Sequence, residues 1–248
     1  MSTRTLNFSI FVCCLLSLCT IEVASIKCNF NVKLTQTLHN DGFHRNMTYG
    51  IVFNSEDDGD RWLYSDCIIG LDQTLPPGVF VNPDELNELK RQNKINAIPK
   101  NRVNIELSAE QSSPTNVFVI GVIREDKVYL WLPVHARYHA AKPKGGAARN
   151  EIHLPNMYLR CPDQRLDECD KSIKPALSFL CNGSSKEKCS WKELSFTAMT
   201  DTVIWEVPIG NTDHYYLVAT GTALVILVGS LYLLKTIHEY KVAMKKRL

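Results

Sequence analysis

The stretch from Tyr215 to Leu234 constrains this chain more than any other feature of its sequence. It holds 20 consecutive residues without a charged side chain. An α-helix of that length rises about 30 Å, which is the hydrocarbon thickness of a bilayer. Tyr215 and Tyr216 at one end and Tyr232 near the other are typical of the two membrane interfaces. The sequence therefore predicts one transmembrane helix over residues 215–234.

The N-terminus predicts a secretory signal peptide over residues 1–25. Arg4 supplies a positive charge, and Ile10–Leu18 is almost wholly apolar but short for a membrane span. Val23-Ala24-Ser25 offers small residues for cleavage, so we expect a mature chain from about Ile26. An uncleaved N-terminal anchor is the alternative, and the short apolar run disfavours it.

Charge on the two sides of the apolar stretch predicts its orientation. Residues 235–248 carry five basic side chains and one acidic side chain, whereas residues 26–214 carry 22 basic and 24 acidic side chains. An excess of Lys and Arg marks the cytoplasmic side of a span. We therefore expect a type I protein with a lumenal domain over 26–214 and a cytoplasmic tail over 235–248. The near-neutral domain argues against nucleic acid as a partner.

The end of the tail predicts the compartment. Lys245 and Lys246 lie four and three places from the C-terminus. This spacing resembles the dilysine signal through which the COPI coat returns resident membrane proteins to the endoplasmic reticulum. Basic residues after a span are ordinary, so the prediction depends on its agreement with the signal peptide and the single span.

Cysteines and sequons fit a lumenal domain. Of nine cysteines, three lie in the signal peptide, and the six that remain predict disulfide bonds. The six are Cys28, Cys67, Cys161, Cys169, Cys181 and Cys189. The sequence leaves their pairing open, and zinc is disfavoured because no CxxC motif occurs. The sequons at Asn46 and Asn182 predict N-linked glycans, which we expect in loops.

Short runs typical of β-strands dominate residues 26–214. They are Phe30–Leu34, Tyr49–Phe53, Cys67–Leu71, Val103–Leu107, Val117–Ile123, Lys127–Val134, Ile152–Tyr158 and Val203–Val207. The polar residues Arg124–Lys127 predict a hairpin turn between two of these runs. Many short strands with turns between them predict a mainly β domain of the antiparallel β-sandwich kind. We interpret Cys161–Cys189, which lacks periodicity, as a disulfide-held excursion.

One short helix is predicted after Asn82. Asn82 is a good N-cap and Pro83 suits the first helical position. Asp84 and Glu85 complement the positive end of the helix dipole. The helical pattern fades by Asn93.

The segment Pro133–His139 is the candidate functional site. In an extended chain, His135, Arg137 and His139 share one face, and Tyr138 lies on the other. Arg137 between two histidines would repel a metal cation, whereas an anion or a protein partner could use all three side chains. The alternative without a function is a strand with one polar face in solvent.

Catalysis by this chain is not indicated. The sequence has no GxSxG, HExxH, GxGxxG or P-loop motif, and no acidic pair at a spacing typical of glycosidases. We therefore predict no catalytic residues, no metal and no cofactor.

Four segments resemble the PIG-X family, the accessory subunits of glycosylphosphatidylinositol (GPI) mannosyltransferase I. They are Leu75–Leu86, Asn104–Leu107, Pro133–His139 and Leu154–Pro162. The first is similar to the family's Leu-Pro, Gly, aromatic, Asn-Pro, Glu-Leu segment, and the third to its Pro-x-His-x-Arg-Tyr segment. The resemblance spans about residues 67–162, roughly half of the mature chain, and the four segments follow one another in the family's order.

The resemblance implies a non-catalytic subunit of the endoplasmic reticulum membrane. Its partner would be a PIG-M-like, multispanning mannosyltransferase, which adds the first mannose to the GPI precursor. The resemblance also suggests a role for His135, Arg137, Tyr138 and His139 as contacts for that catalytic subunit.

Two other functions compete with this interpretation. A p24-type cargo receptor shares the type I topology, the β-sandwich and the dilysine tail, but it has a coiled coil before the span. Trp191–Asp213 lacks sustained heptads. A lumenal glycan-processing enzyme would need an acid pair or a metal set that the sequence does not offer.

Overall fold

A computed structural model describes residues 30–54, 64–161, 163, 165–167, 177–181 and 187–245. Strands dominate this part of the chain. They are β1 (Val32–His39), β2 (His44–Phe53), β3 (Ile68–Leu75), β4 (Val79–Phe80), β5 (Ala97–Pro99), β6 (Thr115–Val122), β7 (Lys127–Ala136), β8 (Gly146–Ile152), β9 (Asn156–Arg160), β10 (Leu177–Leu180), β11 (Lys188–Glu193), β12 (Thr197–Ala198) and β13 (Val203–Ile209). The α-helices are α1 (Pro83–Arg91) and α2 (Tyr215–Lys245).

The strands form two main sheets that enclose one core. The first sheet has the order β12-β1-β2-β7-β4, the second has the order β10-β11-β9-β3-β6-β5, and β8 pairs with β13 separately. Neighbouring strands run antiparallel except for β1 and β12, which are parallel. Buried side chains from both sheets and from the β8–β13 pair belong to a single apolar cluster. The predicted mainly β, sandwich-like domain is confirmed.

Strand β2 shows how the sequence builds this core. Met47, Tyr49, Ile51 and Phe53 are buried and alternate with half-exposed residues, as a period of two requires. Burying each such side chain contributes about 1.5–3 kcal/mol. The Tyr49 hydroxyl donates to Gln73 Oε1 at 3.0 Å, so its polar atom is paired inside the core. Burial raises the pKa of Tyr49.

Helix α1 has the predicted start. The Asn82 side chain accepts a hydrogen bond from the backbone N–H of Asp84, and Pro83 is the first helical residue. Leu86 is buried and anchors the helix in the core. The helix ends at Arg91, close to the predicted end at Asn93.

The predicted hairpin around Arg124–Lys127 is wrong, although the turn exists. Strands β6 and β7 belong to different sheets. On one side of the turn, Ile123 N donates to Cys67 O at 2.8 Å. On the other side, Phe53 N donates to Asp126 O at 2.8 Å. The turn therefore carries the chain across the sandwich, because each flank bonds to a different sheet.

Two other strand predictions are corrected. Val103–Leu107 forms no strand, and Asn104 Oδ1 accepts from Glu106 N at 3.0 Å, which turns the backbone locally. Ile152–Tyr158 is not one strand but the end of β8 and the start of β9. Pro155 lies between them and cannot donate to a ladder.

Two disulfides are present in the described part of the chain. Cys67 lies beside β3 and Cys161 beside β9, and these two strands are neighbours in the second sheet. The Cys67–Cys161 disulfide therefore joins residues that are 94 positions apart in the sequence. Cys181–Cys189 closes the β10–β11 hairpin across 8 residues. Disulfide bonding is thus confirmed for these four cysteines. Cys28 and Cys169 lie outside the described residues.

Helix α2 follows the β-domain directly. The segment Thr212–Lys245 is long and apolar enough to cross a membrane, and no residue of its most apolar part is buried against the protein. The helix continues 11 residues beyond Leu234. The boundaries of the span at 215–234 and the orientation remain predictions. The signal peptide over 1–25 and Lys246 lie outside the described residues, whereas Lys245 is the last residue of α2.

Candidate partner-binding site

The predicted site lies where β7 ends, and it does not form one polar face. Because β7 stops at Ala136, the alternation of the strand does not continue to residue 139. His135 is half-buried on the outer side of the first sheet, Arg137 is 5% exposed, Tyr138 is 79% exposed and His139 is half-buried. The expectation that His135, Arg137 and His139 share a face in solvent is therefore wrong.

His135 belongs to a carboxylate-linked histidine pair. Its Nε2 lies 2.7 Å from Glu85 Oε2, and His44 Nε2 lies 3.2 Å from Glu85 Oε1. The two imidazole rings stack with centroids 4.4 Å apart and an angle of 5° between their planes. Glu85 lies in the first turn of α1, His44 begins β2 and His135 lies near the end of β7. One carboxylate thus links the helix to two neighbouring strands.

The same three side chains are the metal-ligand candidates in the described part of the chain. The ligand atoms of His44, Glu85 and His135 lie within 4.8 Å of one another. Parallel stacked rings direct their ring-nitrogen lone pairs side by side rather than towards one point. A tetrahedral ion would need ring nitrogens that converge at about 2.0–2.1 Å. The geometry therefore favours two hydrogen bonds to Glu85 over a metal centre.

The buried Arg137 side chain connects segments of the domain that are distant in sequence. Its Nη1 donates to Leu107 O at 2.8 Å, and its guanidinium carbon lies 4.5 Å from the centroid of the Phe80 ring. Its backbone N donates to Gly78 O at 2.8 Å. Burial lowers the pKa of Arg137. The guanidinium holds the irregular 103–107 segment against the end of β7, which explains why a buried charge is retained here.

His139 lies in a small cleft of about 410 Å³. Its Nδ1 is 3.8 Å from Glu110 Oε1, and its Nε2 is 3.4 Å from Asn150 Nδ2. Gly78 makes this approach feasible, because a Cβ at Gly78 would lie 2.0 Å from Asn150 Oδ1. Ala140 N donates to the Glu110 carboxylate at 2.8 Å, and this bond is the main reason why the pKa of Glu110 is lowered.

Tyr138 is the candidate residue that a partner can reach. Its ring packs on Phe43, with centroids 5.4 Å apart, and Phe43 is itself 38% exposed. Tyr138 O accepts from Ala109 N at 3.0 Å, so the backbone beneath the ring is fixed. An exposed aromatic pair on a fixed backbone is typical of interface anchors, since little conformational entropy is lost on binding.

The chain beyond the site leads directly to the linker that precedes α2. Lys142 N donates to Gly210 O at 3.0 Å, and Thr212 N donates to Lys142 O at 3.1 Å. Lys144 N donates to Asp213 Oδ2 at 3.1 Å. The loop after His139 is thus bonded to the residues immediately before the apolar helix.

Sequence reasoning missed Glu85, His44 and Glu110 as parts of this region. Glu85 was assigned only to the helix dipole, and His44 and Glu110 were assigned no role. No sequence spacing connects Glu85 and His44 to His135, or Glu110 to His139, because these contacts form only in the folded domain. The sequon residue Asn46 was also misplaced, because it lies within β2 and not in a loop. Asn182 lies outside the described residues.

The fold defines a class: a mainly β, sandwich-like domain, joined to one helix that is apolar enough to cross a membrane. The profile of the family described as PIG-X / PBN1 matches residues 40–238. The chain belongs to this family. It is 27% identical to the mouse (Mus musculus) protein named "GPI alpha-1,4-mannosyltransferase I, stabilizing subunit". The matched region of 213 residues covers 84% of this chain and 81% of the mouse protein. The human (Homo sapiens) protein of the same name is 26% identical over 212 residues, which cover 84% of this chain and 80% of that protein.

Proposed function

We propose that this protein is the non-catalytic, stabilising subunit of GPI alpha-1,4-mannosyltransferase I. The observation that carries the proposal is the match of 84% of the chain to relatives named as that subunit. In this role the chain performs no sugar transfer. A PIG-M-like, multispanning catalytic subunit adds the first mannose to the GPI precursor, and the present chain keeps that subunit folded in the membrane.

The placement in the cell follows from the same role. The complex resides in the endoplasmic reticulum membrane, with the β-domain in the lumen and the end of α2 in the cytoplasm. Eleven helical residues beyond Leu234 would extend about 16 Å past the span. Lys245 and Lys246 would then be presented to the COPI coat away from the lipid surface.

The contact with the catalytic subunit involves Tyr138 and its neighbour Phe43. This pair is exposed, rigidly held and joined through the Lys142–Gly146 loop to the linker before the apolar helix. A multispanning partner can reach a surface near that linker more easily than one at the far end of the domain. His135, Arg137 and His139 act indirectly, because they position the backbone that carries Tyr138.

The test uses cells that lack the endogenous protein and are complemented with single variants. Two tyrosines form a matched pair, because Tyr138 is 79% exposed and Tyr129 is 78% exposed on the outer side of the first sheet. Tyr138→Ser is expected to reduce the amount of co-purified catalytic subunit and of GPI-anchored protein at the cell surface several-fold. Tyr129→Ser should leave both unchanged.

Two outcomes separate the parts of the proposal. If complementation with the unaltered chain does not change the abundance of the catalytic subunit, the stabilising function is wrong. If it does, but both tyrosine variants behave alike, only the contact surface is wrong. Reversing the charge of Arg137 is a poor test of contact, since a buried guanidinium cannot be replaced without disturbing the fold.

A further inference from the structure

The outer side of the first sheet carries an open groove. Three cross-strand rows line up on it. Thr37, Thr48 and Trp131 form one row, Thr35, Gly50 and Tyr129 form the next, and His39, Asn46 and Pro133 form the row on the other side. The groove over the first two rows has a volume of about 540 Å³. It lies on the side of the sheet that faces away from the core.

The groove offers the two kinds of group that recognise a sugar. The hydroxyls of Thr37 and Thr48 lie 2.7 Å apart, and His39 Nε2 lies 2.9 Å from each of them. These atoms can donate to or accept from sugar hydroxyls and an acetamido group. The aromatic rings of Trp131 and Tyr129 offer flat apolar surfaces for the C–H face of a sugar ring.

Gly50 lines the groove and contributes no side chain to it. A Cβ at this position would meet the Tyr129 ring at 3.7 Å, an ordinary contact, so no steric conflict demands glycine here. The absence of a side chain leaves space between Thr35 and Tyr129 that a larger residue would fill. The neighbouring Tyr129 is 78% exposed.

The sequon Asn46-Met47-Thr48 places a glycan acceptor at the edge of this groove. Asn46 and Thr48 lie two residues apart in β2, so both side chains point to the outer side. Trp131 is directly opposite Thr48 and diagonal to Asn46. Diagonal neighbours in a sheet lie about 7–8 Å apart, which one sugar residue can span.

The other direction from Asn46 is already occupied. His44 and His135 are stacked there, and their ring nitrogens face the Glu85 carboxylate. Phe80 stacks on His135 with centroids 5.2 Å apart. On the groove side, by contrast, a glycan that leaves Asn46 finds hydroxyl groups and an aromatic ring within reach.

We propose that the N-acetylhexosamine core of an N-linked glycan on Asn46 lies in this groove, stacked on Trp131 and hydrogen-bonded to the Thr37–Thr48–His39 group. Attachment forms a bond between Asn46 Nδ2 and the anomeric carbon of a lipid-diphosphate-linked oligosaccharide. The bond between the anomeric carbon and the diphosphate oxygen breaks, the lipid diphosphate leaves, and the proton lost from the amide nitrogen passes to the solvent. The glycan then covers the outer side of the first sheet and leaves Tyr138, beyond the end of β7, free for a protein partner.

The first measurement concerns the attachment. Full-length protein from mammalian cells is digested, and its glycopeptides are analysed by mass spectrometry. Asn46 is expected to be occupied, and Asn46→Gln should remove that glycan only. An unoccupied Asn46 would overturn the proposal.

The second measurement tests whether the glycan lies in the groove, and its readout does not depend on the stability of the protein. With ¹³C-labelled acetamido methyl groups, the ring current of Trp131 should shift the methyl resonance of the Asn46 glycan away from its free position. Trp131→Ala should return it to that position, whereas Trp131→Phe should keep part of the shift. The Asn182→Gln variant, which removes the other predicted sequon, should leave the shift unchanged. A resonance at the free position in the unaltered protein would show that the glycan does not use the groove.

Thermal unfolding provides a consistency check. Asn46→Gln and Trp131→Ala should each lower the Tm by about 2–4 °C. If the glycan and the ring act together, the double variant should lose less than the sum of the two single losses. Strictly additive losses would contradict the stacking. None of these measurements involves the catalytic subunit, so their outcome is independent of the proposed function.

Discussion

The outer side of the second sheet is partly covered by the protein itself, whereas the outer side of the first sheet is open. On the second sheet, Phe118 and Trp191 are fully buried in a separate aromatic cluster beneath the β10–β11 hairpin. The Phe118 ring contacts Trp191 edge-on, with centroids 5.1 Å apart, and Phe179 at 4.6 Å. On the first sheet, the threonine rows and Tyr129 remain open. The chain thus covers one side with its own hairpin and leaves the other available to a ligand.

The two sides also differ in how their polar and aromatic groups are paired. The covered side includes an ion pair, in which Lys100 Nζ lies 2.6 Å from the largely buried Asp72 carboxylate. The same ammonium lies 5.7 Å from the centroid of the Phe118 ring. The open side has hydroxyls and exposed rings whose hydrogen-bonding and stacking capacity is not used up within the protein.

The largest expected effect tests how the β10–β11 hairpin packs on the second sheet. Trp191→Ala should lower the free energy of unfolding by about 3–5 kcal/mol, because it leaves a cavity under the hairpin. Tyr129→Ala on the open side should change it by less than about 0.5 kcal/mol. Denaturant unfolding of the full-length protein in detergent, after removal of N-glycans, measures both values. Similar losses for the two variants would contradict the distinction between a covered and an open side.

A smaller effect comes from one methyl group placed on each side. Gly70→Ala would put a Cβ 2.3 Å from Phe118 Cζ and 3.2 Å from Trp191 Cζ3, so the aromatic cluster must shift. We expect a loss of about 1–3 kcal/mol, as for other overpacked sites. Gly50→Ala makes an ordinary contact and should be neutral or slightly stabilising. The same unfolding experiment measures both, and a neutral Gly70→Ala would show that the cover is loosely packed.

The smallest effect is a pH dependence at Glu110, in the cleft that holds His139. The pKa of Glu110 is lowered in the folded protein, chiefly by the hydrogen bond from Ala140 N. A lowered carboxyl pKa stabilises the fold above the ordinary value of 4.5, and this contribution is lost as the pH falls through the lowered value. The amide resonance of Ala140 should therefore move during acid titration from pH 4.5 downwards. His139 lies near the same carboxylate, so Glu110→Gln is the necessary control and should abolish the acid-dependent movement.

Local patterns predicted the elements better than their arrangement. The cap at Asn82 and the strand over Tyr49–Phe53, which lies within β2, depend on neighbours in sequence, and both predictions were correct. The pairing of β6 and β7 was wrong, because a polar turn between two apolar runs fits a hairpin and a crossover between sheets equally well. The crossover forms because the turn region bonds to residues that are distant in sequence: Ile123 N donates to Cys67 O, and Asp126 O accepts from Phe53 N.

The candidate site was predictable as a segment and not as a surface. Alternation correctly placed His135 on the outer side, but it failed at Arg137, because β7 ends one residue earlier. The buried position of that guanidinium depends on Leu107 and Phe80, which are distant in sequence. The groove around Trp131 was not predicted, since it exists only once three strands are in register.

Because β1 pairs in parallel with β12, one edge of β1 is completed only by a strand near the end of the domain. Lys33 is opposite Thr197, and Met199 N donates to Leu34 O at 2.8 Å. During synthesis, the edge of β1 stays unpaired until nearly the whole domain has been made, shortly before the apolar helix follows. A product truncated before residue 197 would keep an open strand edge that is prone to pair with other chains. Pairing of the first sheet is therefore completed only after residues 197–198 have been synthesised, shortly before the apolar helix, so that most truncated products would lack it.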